Sequence, residues 1–161
     1  MPRRTQRYSK IGDTMKTIDL SGKWNYKTDI DDSQTIDSIK FENNNFNLPG
    51  STCDNRIGKK TEYFDKISKE AVRAPRERYE YIAPLWLQKT VNIPNDTDGK
   101  SIRLFMERVN IASELWIDGV KTDRQIIELS TPHIYNLTGK ITPGEHTFTL
   151  NGVTIDGEGK E

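Results

Sequence analysis

In the second half of the chain several runs alternate apolar with polar positions, and no long stretch repeats them with the period of an amphipathic helix. From Leu85 to Ile93 the run Trp86-Leu87-Gln88-Lys89-Thr90-Val91-Asn92-Ile93, closed by Pro94, predicts a strand. Ile102, Leu104 and Met106 alternate with Arg103, Phe105 and Glu107 in the next strand, and a third is expected from Glu114 to Ile117. Asp118-Gly119 follows, a pair suited to a type I′ turn because both central residues need φ > 0. Val120 to Asp123 should therefore pair back against Leu115 to Ile117. Between Ser130 and Leu150 the pattern predicts a short strand or turn at Ile134 to Leu137 and a Pro143-Gly144 type II turn. A strand should then follow in which His146, Phe148 and Leu150 oppose Thr147 and Thr149.

The first half is more irregular. Ser21-Gly22-Lys23-Trp24-Asn25-Tyr26 reads as a turn leading into a first strand. Asp29 to Asn47 is rich in Asp, Asn and Ser, which bond their own backbone in turns, with short strands expected near Ile36 to Phe41 and Phe46 to Leu48. Leu48-Pro49-Gly50 makes a further turn, and Cys53 to Lys60 continues as loop. Thr61 to Tyr81 is highly charged and reads as an insertion crossing the surface, with a helical turn near Ile67 to Val72. Residues 1–15 read as a disordered end or added segment ahead of a single domain over 16–161. Short strands separated by turns argue for an all-β antiparallel β-sandwich of the jelly-roll kind.

Composition narrows the choice. Only 33% of the 161 residues are hydrophobic and 30% are charged, so the buried layer must be thin and drawn from strand positions, as two facing sheets require. Lys plus Arg equals Asp plus Glu at 24 each, so no overall field draws the chain to nucleic acid or to an anionic membrane. No apolar run approaches the roughly 20 residues of a membrane-spanning helix. Arg3, Arg4, Arg7 and Lys10 read as a solvated end, and Arg73, Arg76 and Arg78 as a solvated face in preference to an anion clamp. Cys53 is the only cysteine, which excludes an internal disulfide, and no base is placed to activate it. Trp24, Trp86 and Trp116 fall on strands or strand starts, where core packing is expected before a sugar platform.

Five pieces in order carry a resemblance: Leu20-Ser21-Gly22-Lys23-Trp24, Leu48-Pro49-Gly50-Ser51, Trp86-Leu87-Gln88-Lys89-Thr90-Val91, Glu114-Leu115-Trp116-Ile117-Asp118-Gly119, and Ser130-Thr131-Pro132-His133-Ile134-Tyr135-Asn136-Leu137-Thr138 with Pro143-Gly144. Across roughly residues 17 to 150 the chain resembles the N-terminal sugar-binding domain of glycoside hydrolase family 2, the β-galactosidase and β-glucuronidase type. The resemblance implies a galactose-binding-domain-like jelly roll packed, in the whole enzyme, beside an immunoglobulin-like domain and a (β/α)8 barrel. The barrel supplies the carboxylate pair of a retaining glycosidase, so no catalysis is expected of this chain alone. Near its end the sequence departs from the family. Asn151-Gly152-Val153-Thr154-Ile155-Asp156 stands where an Arg-Val-Asp-Asn-like continuation is expected, which implies a shortened last strand or a domain cut within its sheet.

The leading expectation is a non-catalytic module that buttresses the barrel and shapes its entrance, with carbohydrate as the ligand of the parent enzyme. One alternative is an independent carbohydrate-binding module using Asp54, Asn55, Arg56 and Tyr63. A protein-interaction sandwich is the other. No cofactor is required. Sandwiches of this type often hold a structural calcium, for which Asp29, Asp31 and Asp32 offer hard oxygens, although a solvated acidic turn is the preferred reading. A periplasmic or secreted bacterial setting is favoured over the cytoplasm.

Overall fold

The longest alternating runs form the centre of the molecule. In the computed structural model, which describes residues 15–41, 45–60, 79–97, 99–109, 111–122 and 125–153, the first half contributes β1 (Gly22–Thr28), β2 (Phe46–Leu48), β3 (Lys59–Lys60), β4 (Tyr79–Glu80) and β5 (Leu85–Ile93). The second half contributes β6 (Arg103–Met106), β7 (Ala112–Ile117), β8 (Val120–Lys121), β9 (Ile126–Ile127), β10 (His133–Asn136) and β11 (Gly144–Val153). The main sheet runs in the order β2-β1-β5-β11-β7-β8, with β9 also on β7, and every pairing is antiparallel. A two-stranded sheet of β10 and β6 stands apart from it, and β3 pairs with β4.

Period-two alternation sorts the side chains between the layers. Leu150 lies opposite Leu87 and Leu115, and Phe148 opposite Ile117, so these residues share one face with Val91 and Ile93. That face meets Leu104 and Tyr135 of the small sheet, and with Trp24, Leu137 and Ile141 they form one buried cluster. The chain is thus an all-β antiparallel sandwich with its core between a broad sheet and a narrow one.

The Asp118-Gly119 hairpin forms as expected, with φ of 52° and 81° at the two residues and Ile117 opposite Val120. Gly144 adopts φ 125° after Pro143. One expectation is revised. Thr35 to Ile39 turns instead of forming a strand: the amides of Ser38 and Ile39 both donate to the Thr35 carbonyl, and Thr35 N donates to Ser38 Oγ. β11 spans 10 residues and pairs with β5 over 144–152 and with β7 over 148–153, and residues 154–161 lie outside the described residues. Residues 61–78 of the charged segment, with the helical turn expected at 67–72 and arginines 73, 76 and 78, lie outside the described residues, as does the basic end, while Tyr79–Glu80 form β4.

Gly58 brings β3 against β4 so closely that an added Cβ would lie 2.1 Å from the Glu80 carbonyl oxygen, at a backbone φ of +99°. Both sterics and backbone oppose any other residue. Gly58→Ala is expected to cost about 2 kcal/mol, read as a lower urea midpoint at unchanged m-value; an unchanged midpoint would show that the ladder yields freely.

Candidate functional site

Among the described residues, the loop after β2 and a cluster between the sheets have residue types suited to chemistry. In the loop, the Ser51 amide and hydroxyl both donate to Asp54 Oδ2 at 2.8 Å. These bonds, the amide first, hold the exposed Asp54 carboxyl below the usual carboxylate range. Asn55 is more fully committed. Its Oδ1 accepts from Asn47 N at 2.7 Å, and its Nδ2 donates to the carbonyls of Asn47 and Ser51. Arg56 is exposed and sits at φ 57°, while the next residue, Ile57, is buried. The structure therefore brings Asp54, Asn55 and Arg56 together in one tight turn, in which Asn55 acts on the backbone. Tyr63 lies outside the described residues.

The acidic turn after β1 is built differently from a calcium loop. Asp29 is 3% exposed, and its carboxylate accepts from Ser33 N, Gln34 N and, at 3.3 Å, Trp86 Nε1. A carboxylate with three protein donors is satisfied without a cation. Asp31 and Asp32 point to solvent, and among the described residues no group of three or more His, Cys, Asp or Glu is arranged to hold a metal. The donor set does not fit calcium.

Between the sheets, Ser113 Oγ of β7 lies 2.6 Å from His133 Nδ1 and 2.9 Å from the Tyr135 hydroxyl of β10. Tyr135 also donates to the Ser113 carbonyl at 2.7 Å, and His133 Nε2 lies 3.0 Å from the Glu128 carbonyl. Nε2 faces a pure acceptor and so carries a proton; in the neutral ring Nδ1 then accepts from Ser113. A serine and a histidine at hydrogen-bond distance resemble a nucleophile and its base. Burial removes that reading, because His133 is 0% and Ser113 2% exposed, leaving a substrate no approach. The cluster instead bolts the narrow sheet to the broad one and holds the β9–β10 connection through Glu128.

The tryptophans are likewise internal. Trp24, Trp86 and Trp116 are all buried, with the Trp24 indole donating to the Leu20 carbonyl and Trp86 stacked at a tilt 5.1 Å from Trp116. The lysine stems of Lys89 and Lys121 place ammonium groups over Trp24 and Trp116. None of the three offers the open ring face that sugar stacking needs. Lys121 Nζ also pairs with Glu114 at 2.5 Å across β7 and β8. Sequence patterning had signalled neither the Ser113-His133-Tyr135 cluster nor the Asp29-Trp86 bond, since both join residues far apart in the chain.

No family model matches the chain, and no curated protein matches it in sequence. Solved structures do match its fold. The β-glucuronidase of Faecalibacterium prausnitzii superposes with a TM-score of 0.64 at 17% identity, over 91% of this chain and 22% of that one. A β-D-glucuronidase for Dictyoglomus thermophilum gives 0.55 at 17% identity, over 84% and 19%. The Ruminococcus gnavus β-glucuronidase gives 0.59 at 14%, over 83% and 20%. The chain spans about a fifth of the length of these enzymes, and what it shares with them is the fold of that portion.

Proposed function

We propose that the chain is the non-catalytic β-sandwich module of a family 2 glycoside hydrolase of the β-glucuronidase or β-galactosidase type, buttressing a catalytic barrel and shaping its entrance. The observation that carries this reading is the asymmetry of the structural match: nearly all of this chain corresponds to about a fifth of a glycosidase. The ordered sequence pieces from Leu20 to Gly144 agree with it. So does the character of the polar clusters, which join strands and loops instead of presenting reacting groups. Apolar side chains at Phe105 and Ile134, opposite each other across the narrow sheet, stand 58% and 49% exposed, as suits a module that packs beside further domains. The partners in this reading are the immunoglobulin-like and barrel domains of one parent chain, and the carbohydrate is the barrel's substrate, cleaved there by a retaining carboxylate pair.

Two measurements test it. The chain alone should release no chromophore from aryl β-glucuronide or β-galactoside above the buffer rate, and the reading frame beyond residue 161 should continue into a (β/α)8 pattern carrying two glutamates. Turnover by the chain alone, or a frame without a barrel, would overturn the reading. Titration calorimetry with galactose and glucuronate separates the independent carbohydrate-binding function: no heat is expected at millimolar sugar. A heat that disappears in Arg56→Ala would transfer the function to the loop of Asp54, Asn55 and Arg56 with Tyr63.

A further inference from the structure

The Asp118-Gly119 hairpin is tied to the start of β11 by a set of bonds that no functional role has yet absorbed. Asp118 N donates to the Thr147 carbonyl at 2.9 Å, and Thr147 N donates to Asp118 Oδ1 at 2.8 Å. The other carboxylate oxygen, Oδ2, lies 2.6 Å from His146 Nδ1. On its far side the same ring places Nε2 2.9 Å from the Thr142 carbonyl, in the turn that precedes β11. The imidazole thus lies between two pure acceptors, a carboxylate and a backbone carbonyl.

A neutral imidazole has one N–H and one lone pair, so against two acceptors it can satisfy only one of them. Its unprotonated nitrogen would face either the Asp118 carboxylate or the Thr142 carbonyl, lone pair to lone pair. Only the imidazolium donates on both sides. We infer that His146, Asp118 and the Thr142 carbonyl form a proton-dependent clip, closed while His146 is an imidazolium and Asp118 a carboxylate, which fastens the β7–β8 hairpin to β11 and loosens at either end of that window.

From β5 the residue opposite His146 is Val91, which does not titrate. Glu145 and Thr147 flank it on β11 and alternate to the other face. Lys140, in the preceding turn, donates its ammonium to the Thr122 carbonyl. The His146 side chain is 14% exposed and that of Asp118 51%, so protons reach the clip without opening the core.

The direction of the pH response follows from the two partners. The bond to Asp118 first, then the one to the Thr142 carbonyl, raises the His146 pKa above its ordinary 6.5. A raised folded value means a contribution fully present below the unfolded pKa and lost as pH rises through the folded one. The Thr147 amide first, then His146, lowers the Asp118 pKa from 3.8, so that contribution is present above the unfolded value and lost as pH falls through the folded one. The clip is closed between these limits. It releases the sheet edge at β8, where Val120 is 70% exposed, when the pH rises through the raised His146 value.

The test is a two-dimensional amide NMR titration of the unaltered chain, following the His146 ring carbons together with the Asp118, Gly119 and Thr147 amides. The ring should titrate above 6.5 and the three amides should shift with the same midpoint. Asp118→Asn should return the ring to an ordinary midpoint, and His146→Gln should leave the amides flat across the interval in which the unaltered ring titrates. Rescue of hydrogen-exchange protection at Thr147 on lowering the pH back through the ring midpoint would identify a reversible clip. A ring midpoint at or below 6.5, or hairpin amides that titrate apart from it, would overturn the inference, and neither reading depends on a variant folding.

Discussion

Tyr135→Ala is expected to leave the chain largely unfolded at 37 °C, whereas Tyr135→Phe should fold with a measurable loss. The ring of Tyr135 is 1% exposed within the cluster that joins Trp24, Leu104, Leu115 and Phe148, so truncating it removes apolar contacts from both sheets at once. Large-to-small changes of aromatic core residues cost about 3–5 kcal/mol. The hydroxyl adds to this, since it donates to the Ser113 carbonyl and lies beside Ser113 Oγ. Keeping the ring and deleting only the hydroxyl leaves a buried acceptor without that donor, worth about 1–3 kcal/mol. Domains of this size are stable by about 5–15 kcal/mol, so the alanine variant approaches the whole margin and the phenylalanine variant does not. Urea unfolding followed by tryptophan fluorescence measures both. Equal midpoints for the two variants would mean that the ring contributes no packing and that the narrow sheet is held by the polar cluster alone.

His133 extends the same argument to the loop before β10. With Nε2 on the Glu128 carbonyl and Nδ1 on Ser113, the ring is a spacer whose two nitrogens both have partners, and the fully buried side chain needs both. This arrangement was beyond the reach of pattern reading, because Ser113 and His133 are 20 residues apart and meet only once β7 and β10 lie in facing layers. The strands themselves were legible. β5, β6 and β11 carry the alternation, and the Asp118-Gly119 turn fixed the β7–β8 register through its φ > 0 requirement. The strand expected near Ile36 to Phe41 failed for a local reason. Ser38 Oγ accepts from the Thr35 amide and donates to the Thr35 carbonyl, and a backbone already bonded in a turn cannot join a ladder.

The same chemistry explains the candidate loop. Asp54 and Asn55 attracted a binding role because exposed polar side chains on a loop are available to ligands. Short acceptors next to free amides are also the residues that close turns, and Asn55 uses both ends of its amide to do so. A sequence shows the residue type and the loop, but whether the polar atoms face outward or back to the chain depends on φ and ψ at Gly50 to Arg56. For the indoles the outcome ran the other way: strand placement alone implied burial, and burial is what the sandwich shows.

Asp29→Ala is expected to cost about 3–4 kcal/mol, more than a surface carboxylate could, because the residue is a buried hub. Its carboxylate accepts from the amides of Ser33 and Gln34 and from the Trp86 indole, its own amide lies on the Pro84 carbonyl and the Tyr81 hydroxyl, and Tyr81 in turn donates to Pro84. Alanine keeps the backbone bonds and deletes the three accepted by the side chain. Of those donors the two amides can turn to water, but Trp86 is 2% exposed and its N–H cannot. Asp29→Asn should fall between, since one amide oxygen replaces two carboxylate oxygens and its NH2 must face an N–H donor. A chelator should leave the melting temperature of the unaltered chain unchanged, because the groups around the carboxylate are protein donors and not a cation. A fall in melting temperature with chelator, restored by calcium and absent in Asp29→Ala, would show that a cation competes successfully with the Ser33 and Gln34 amides for this carboxylate. The expected result is instead a destabilised variant that is indifferent to chelator, with Trp86 fluorescence altered, since the indole is the one partner that reports directly on the lost bond.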